Sequence, residues 1–273
     1  MVMPTTPAPV DVQILAGKMG LPNPAFWGMY MMRRMKAYGD TEEMLAKIKV
    51  KASKGGALNP LARYHKLFTI DEVLKSPMVC YPLRLYEICA TSQGAAAVIV
   101  GSKEAAQRLG KKPITVAACT AGSPIYGDST LRLRTVSTIS KETGPYFSEA
   151  VSASRRAFEE AGIGPEDIDV AEIPDNSSWH ELEYFEVDGF CKPGEAGRLV
   201  NEGYTDLGGK LPVNMSGGMA SYGEVTNAQG LQQVCDMVRQ LRGVATRQVT
   251  GAKTAFCQTY GGGGNNSVAI LKS

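Results

Sequence analysis

Histidine is scarce in this chain: His65 and His180 are the only two among 273 residues. A histidine-rich metal centre is therefore excluded within it. The six cysteines (Cys80, Cys89, Cys119, Cys191, Cys235 and Cys257) form no CxxC pair. That spacing argues against a zinc site and against a disulfide framework. Neither sign of charge dominates, with 29 Lys and Arg against 27 Asp and Glu and a net charge of +2. No electrostatic argument points to nucleic acid or to an acidic membrane. Long apolar runs are missing too: the longest, Ala95 to Val100, is far too short to cross a bilayer. The N-terminus "MVMPTTPAPV" lacks the basic-then-apolar pattern of a secretory signal and reads as a mobile tail over residues 1–20. A cytoplasmic protein with reduced thiols is the expectation. No G-x-x-x-x-G-K-S/T phosphate loop occurs, and no G-x-G-x-x-G follows a strand, so a nucleotide fingerprint is absent.

What is present is an ordinary globular composition, 44% hydrophobic and 21% charged, in a chain long enough for one large or two medium domains. The first third reads as helices and loops. Met29 to Tyr38, with the basic pair Arg33-Arg34, looks helical. "GDTEEMLAKIKV" starts a second helix capped by Asp40 or Thr41, with Glu42 and Glu43 suited to the positive end of its dipole. "TIDEVL" places Thr69 and Glu72 at capping-box spacing. The intervening "KASKGGALNPLARYH" reads as a loop broken at Gly55-Gly56 and Asn59-Pro60.

The pattern then changes. "GAAAVIVG" is all apolar between glycines and predicts a strand buried on both faces, followed by a helix in "SKEAAQRLG" closing on Gly110. Strands are expected in "PITVAACTAG", "DIDVAEI", "LPVNMS", "KTAFCQ" and "SVAIL". Helices are expected over Phe147 to Gly162, in "SSWHELEYFEVDG" behind Ser177 or Ser178, and over Asn227 to Leu241. Alternating strands and helices predict a layered α/β domain. A boundary near Lys111-Pro113 divides residues 21–112 from 113–273.

Several segments, in order, carry a family resemblance. They are "MMRRMKAYGDTEEMLAKIKVKASKGGALNPLARY", "YEICATSQGAAAVIV", the run from "IDVAEIPDNSSWHELEYFEVDG" through "LPVNMSGG", and "GAKTAFCQTYGGGGNNSVAIL". From about Phe26 to the end the chain resembles the thiolase superfamily, in its sterol-carrier-protein-type, lipid-transfer-protein-like branch. The resemblance implies an α/β, thiolase-like layered fold. Residues 21–112 would be the loop domain and the end of the N-terminal half, and 113–273 the C-terminal domain. The fold is expected to be incomplete, because nothing before Phe26 resembles the half that carries the family's nucleophilic cysteine. The site also departs from the family. The His-Asp-Cys-Phe segment reads Pro174-Asp175-Asn176-Ser177, the Asn before the next Glu is His180, and Gly-His-Pro reads Gly223-Glu224-Val225. Loss of that His removes the usual Claisen base.

A subgroup of the branch consists of aldolases that shorten steroid side chains as CoA thioesters, without an acyl-enzyme cysteine. The resemblance implies acyl-CoA as substrate, no covalently bound cofactor and no metal in this chain. It also implies a homodimer and an OB-fold/zinc-ribbon partner protein. The leading expectation is retro-aldol cleavage of a β-hydroxyacyl-CoA. The rivals are an acyl-CoA C-acetyltransferase fragment and a non-catalytic lipid-binding subunit.

Candidate residues follow, each with a plainer reading. Tyr222, in "VNMSGGMASYGEVTNAQG", is an acid/base or a ring at a domain seam; Glu224 is a base, a partner of Tyr222, or a complement to the helix dipole. Tyr126 in "TAGSPIYGDS", Tyr260 before Gly261 and helical His180 are further proton carriers or structural residues. Gly217, Gly218, Gly262 and Gly263 offer backbone N–H groups to a thioester oxygen, or serve tight turns. Asn176 and Asn214 are candidate hydrogen-bond donors. Arg132 and Arg134 meet CoA phosphates or belong to a half-exposed strand, Cys257 is a core thiol, and His65 is a surface residue.

Overall fold

The computed structural model describes residues 18, 20, 22–110, 112–123, 148–261 and 265–273. Tyr126, Arg132, Arg134, Gly262, Gly263 and most of the N-terminal tail lie outside the described residues.

Helix α1 spans Asn23–Tyr38 and ends on left-handed Gly39. Helix α2 spans Glu42–Leu58, and the Thr41 side chain caps it by accepting from the Met44 N–H. Its length corrects the expectation of a loop at Gly55-Gly56. A Cβ on Gly55 would lie 2.6 Å from the Gly217 backbone nitrogen, and one on Gly56 would lie 2.7 Å from the Ser221 Cβ. These glycines let the helix touch the Gly217–Ser221 turn; they do not break it. Helix α3 (Ile70–Leu74) carries the Thr69/Glu72 capping box. A small antiparallel pair follows, β1 (Met78–Cys80) and β2 (Leu83–Arg84), then helix α4 (Lys103–Arg108).

"GAAAVIVG" is not a strand. Ile99 is 95% and Val100 81% exposed, and no strand lies beside them among the described residues. Apolar content cannot make a strand without a ladder to satisfy its backbone.

The main sheet comprises β3 (Thr115–Gly122), β4 (Val170–Glu172), β5 (Thr254–Tyr260) and β6 (Asn266–Lys272), in the order β3-β6-β5-β4. The pairs β3–β6 and β6–β5 are antiparallel, and β5–β4 is parallel. Helices α5 (Ser148–Ala161), α6 (Ser178–Val187), α7 (Ala196–Asn201), the short α8 (Gly218–Ser221) and α9 (Gln229–Arg242) complete the chain. Strand alternation sends Phe256, Val268 and Ile270 to one face, with Ala153, Ala157, Leu182 and Phe185 of α5 and α6. It sends Ala255, Cys257 and Leu271 to the other face, against Met237 and Leu241 of α9. "LPVNMS" contributes one bridge, Val213 to Ala171, and not a full strand. Asn214 follows with φ +57, which ends the extended backbone.

Helix α6 is buried all round, and its charges are paired. Glu181 meets Lys51 of α2, and Glu183 meets Arg34 of α1 at 3.3 Å. Arg34 also bonds Asp40 at 2.8 Å and Glu186 at 2.6 Å. The helical first third is thus clamped to the sheet domain through ion pairs that have no exposed alternative. All six cysteines are free thiols, and no described helix is long and apolar enough to cross a membrane.

Candidate active site

The carboxyl ends of parallel β4 and β5, with the turn before α9, bring distant segments together, as such strand ends do in α/β sheets. After β4 the chain runs through Asp175 and Asn176 into α6. Asp175 is fully buried and accepts from the backbone N–H groups of Met219 at 2.6 Å and Ala220 at 3.3 Å. It therefore caps α8. Burial, then the charge of Glu181, pushes its carboxyl up to about 7 against the pull of those N–H bonds.

Glu224 is held on three sides. Its backbone N–H donates to the Ala90 carbonyl at 3.1 Å, and the Ser92 N–H donates back to its carbonyl at 2.8 Å. Its carboxylate accepts from Asn176 Nδ2 at 2.6 Å and from the Cys89 thiol at 2.9 Å. Burial, then the Glu224 charge, holds that thiol well above its ordinary range, so it stands there as a donor and not as a thiolate. Asn176 is fully buried, and its Oδ1 has no partner.

Tyr260 closes β5, where Gln229 of α9 bonds its carbonyl at 3.1 Å. Its ring stacks on His180 at 5.5 Å and on Tyr184 at 5.8 Å. Its hydroxyl lies 3.4 Å from His180 Nε2. Burial, then the charge of Glu224 and the thiol of Cys89, pushes this phenol well above its ordinary value. His180 Nδ1 receives the Ser177 backbone N–H at 3.1 Å. A backbone N–H only donates, so Nδ1 is the acceptor and the ring proton sits on Nε2, facing the Tyr260 oxygen. Burial pulls His180 down to about 3, which keeps it neutral. Trp27 and Trp179 close its edges at 4.8 and 4.5 Å.

Glu224, Asn176, Cys89, Tyr260 and His180 therefore form one group, and the other expected residues stand apart from it. The Tyr222 side chain stands near the α9 pair Asp236 and Arg239, whose charges act on its phenol. It is not a partner of Glu224, because the turn at Gly223 sends neighbouring side chains to different surroundings. Asn214 is fully buried, with Oδ1 accepting from the Ile173 N–H and Nδ2 donating to Glu181, both at 2.9 Å. It braces the scaffold. Gly217 and Gly218 adopt φ +112 and +55, and their N–H groups bond Asn214 O at 3.2 Å and Ser216 Oγ at 3.3 Å. A Cβ on Gly218 would meet Asp175 at 2.1 Å. Close packing, not an open oxyanion site, accounts for both. Cys89 was not among the expected residues. Nothing in "YEICATSQG" marks it, since only the fold brings it 135 positions along the chain to Glu224. No cluster of three or more metal-ligating side chains occurs among the described residues.

Residues 133–273 match the family described as thiolase C-terminal domain-like. The chain belongs to the thiolase superfamily, in its sterol-carrier-protein-type branch. It is 34% identical to "Sterol carrier protein 2" of Rattus norvegicus, over 98% of this chain and 49% of that protein. It is 35% identical to "Acetyl-CoA acetyltransferase" of Methanothermobacter thermautotrophicus, over 92% of this chain and 64% of the relative. The solved structure titled "Ltp2-ChsH2(DUF35) aldolase" superposes with a TM-score of 0.81 at 25% identity, covering 99% of this chain and 69% of that one. The chain spans about half the length of the sterol carrier proteins it matches. Its relatives thus include acyl-transferring enzymes and an aldolase.

Proposed function

We propose that this protein cleaves the carbon–carbon bond of a β-hydroxyacyl-CoA by a retro-aldol reaction, with Glu224 and Tyr260 moving the protons. The observation that carries the reading is the arrangement around Tyr260: a neutral His180 N–H on its oxygen, with the charge of Glu224 acting on the phenol and Cys89 bonded to Glu224. The Glu224 carboxylate takes the proton of the β-hydroxyl. The Cα–Cβ bond breaks, its electron pair moves to the thioester oxygen, and the carbonyl product leaves. Tyr260 protonates the enolate carbon, and the proton on Glu224 returns to the phenolate, so the cycle closes without a cofactor. The His180 N–H stabilises the phenolate between these steps. The N–H groups of Gly262 and Gly263, next along the chain, are proposed to hold the thioester oxygen. A partner of the DUF35 kind and a homodimer belong to the same proposal.

A second reading, acyl transfer through Cys89 with Glu224 as its base, draws on the 2.9 Å contact between them. The raised thiol counts against it. The deciding assay supplies a DUF35-type partner and follows release of carbonyl product and shortened acyl-CoA from a β-hydroxyacyl-CoA. Cleavage that survives Cys89→Ser supports retro-aldol chemistry. Condensation of acetyl-CoA that disappears in Cys89→Ser would establish acyl transfer instead.

A further inference from the structure

A cavity of about 300 Å³ opens between the Asn59–Leu61 loop and the C-terminal part of α9. Its lining includes none of Glu224, Tyr260, Cys89 or His180. Two charged groups of opposite sign stand on its wall, Asp236 and Arg247. Asp236 is 6% exposed; its Oδ1 accepts from Arg239 at 2.6 Å, and its Oδ2 has no hydrogen-bond partner. Arg247 is 8% exposed; the one hydrogen bond its guanidinium makes among the described residues is from Nη1 to the Lys51 carbonyl at 3.4 Å, and the charge of Asp206 acts on it as well. A buried guanidinium carries five donors, and a buried carboxylate oxygen left unpaired is costly. Arg239 does not meet the need of Arg247, because both are cations. Burial, then the charge of Asp236, holds the neighbouring Glu172 carboxyl well above its ordinary range.

The remaining wall is apolar, with Met215, Met237 and Val244. The volume is at the small end of the range for ligand pockets, about 300–1,000 Å³. One molecule bearing a carboxylate, an adjacent ammonium and a short hydrocarbon side chain satisfies all three features. We propose that this cavity binds a small apolar α-amino acid, its carboxylate on Arg247 and its ammonium on Asp236 Oδ2. The site does not depend on the proposed reaction.

Calorimetric titration of the full chain tests it, with L-leucine as the probe. Three analogues divide the ligand: 4-methylpentanoate lacks the ammonium, 3-methylbutylamine lacks the carboxylate, and 2-hydroxy-4-methylpentanoate replaces the ammonium by a hydroxyl. L-Leucine should bind, and each analogue should bind at least about tenfold more weakly, the size expected for losing a charge-assisted hydrogen bond. Asp236→Asn and Arg247→Met should each weaken L-leucine by about tenfold or more. If Arg247→Met does not fold, Asp236→Asn, which keeps the shape, and the analogues still decide. Equal binding by any analogue, or no binding of L-leucine to a chain that melts cooperatively, would overturn the assignment.

Discussion

Tyr222 and Glu224 sit two positions apart on one turn, yet their side chains enter different environments. Glu224 joins Asn176, Cys89 and Tyr260 at the ends of β4 and β5. Tyr222 joins Arg239 and Asp236 on α9. The Glu224 side contains two bonded pairs, the His180 imidazole with the Tyr260 phenol at 3.4 Å and the Cys89 thiol with the Glu224 carboxylate at 2.9 Å, and the Glu224 charge acts on that phenol; groups that give and take protons are what moving a proton requires. The Tyr222 side is an ion pair within α9, Arg239 with Asp236 at 2.6 Å, with a phenol near it; among the described residues it has no such set of proton carriers. A residue's position on a functional loop does not tell which of its neighbours the side chain will meet.

The largest expected effect comes from the support beneath both sides. Lys51→Met leaves Glu181 buried without its cation, and Glu181 also holds Asn214. Breaking a buried pair in this way costs about 3–5 kcal/mol. Urea denaturation should show it, and a loss under about 1 kcal/mol would mean the pair does not carry the junction.

Next is a dependence on pH that belongs to the Tyr260 side. His180 is held at about 3, below its ordinary 6.5. The unfolded chain therefore takes up a proton as pH falls below 6.5, while the native chain does not until about 3. Native stability contributed by this residue is intact above 6.5 and is lost on acidification. Between pH 6.5 and 4 the loss is on the order of 3 kcal/mol. His180→Phe preserves the stacked ring and should flatten that part of the stability-versus-pH curve. Asp175, raised to about 7, acts in the opposite sense, losing stability as pH rises from about 4 toward 7. An unchanged curve in His180→Phe would place the imidazole in a wetter setting than its surrounding rings imply.

Smaller effects concern catalysis alone. Glu224→Gln should lower kcat by about a hundredfold, as expected for loss of a general base. Asn176→Ala, which removes the donor to Glu224, should cost about tenfold and leave KM nearly unchanged, since it orients the base without touching the bond that breaks. If Asn176→Ala raised KM and left kcat alone, Asn176 would be a binding residue.

Much of the architecture was legible in the chain. Capping signals at Asp40-Thr41 and at Thr69 marked two helix starts, "KTAFCQ" and "SVAIL" marked β5 and β6, and the run from Asn227 to Leu241 marked α9. The failures share a cause. Gly55-Gly56 reads as a break only until the Gly217 turn that needs the space is known, and "GAAAVIVG" reads as a strand only if a neighbour exists to pair with it. The site was half legible. Its loops and His180, Glu224, Asn176 and Tyr260 were identifiable as chemically unusual residues, but the choice between Tyr222 and Tyr260 depends on where a side chain points. Local sequence does not encode that direction, and Cys89 gave no local signal at all.

The central claim is that proton transfer belongs to Tyr260 and not to Tyr222. The direct test is kcat for β-hydroxyacyl-CoA cleavage by Tyr260→Phe and Tyr222→Phe, measured side by side. Each change removes one hydroxyl and keeps the ring. Tyr260→Phe should fall by about a hundredfold or more, whereas Tyr222→Phe should stay within about threefold of the parent protein because no proton passes through it. A large loss in Tyr222→Phe with full activity in Tyr260→Phe would contradict the account.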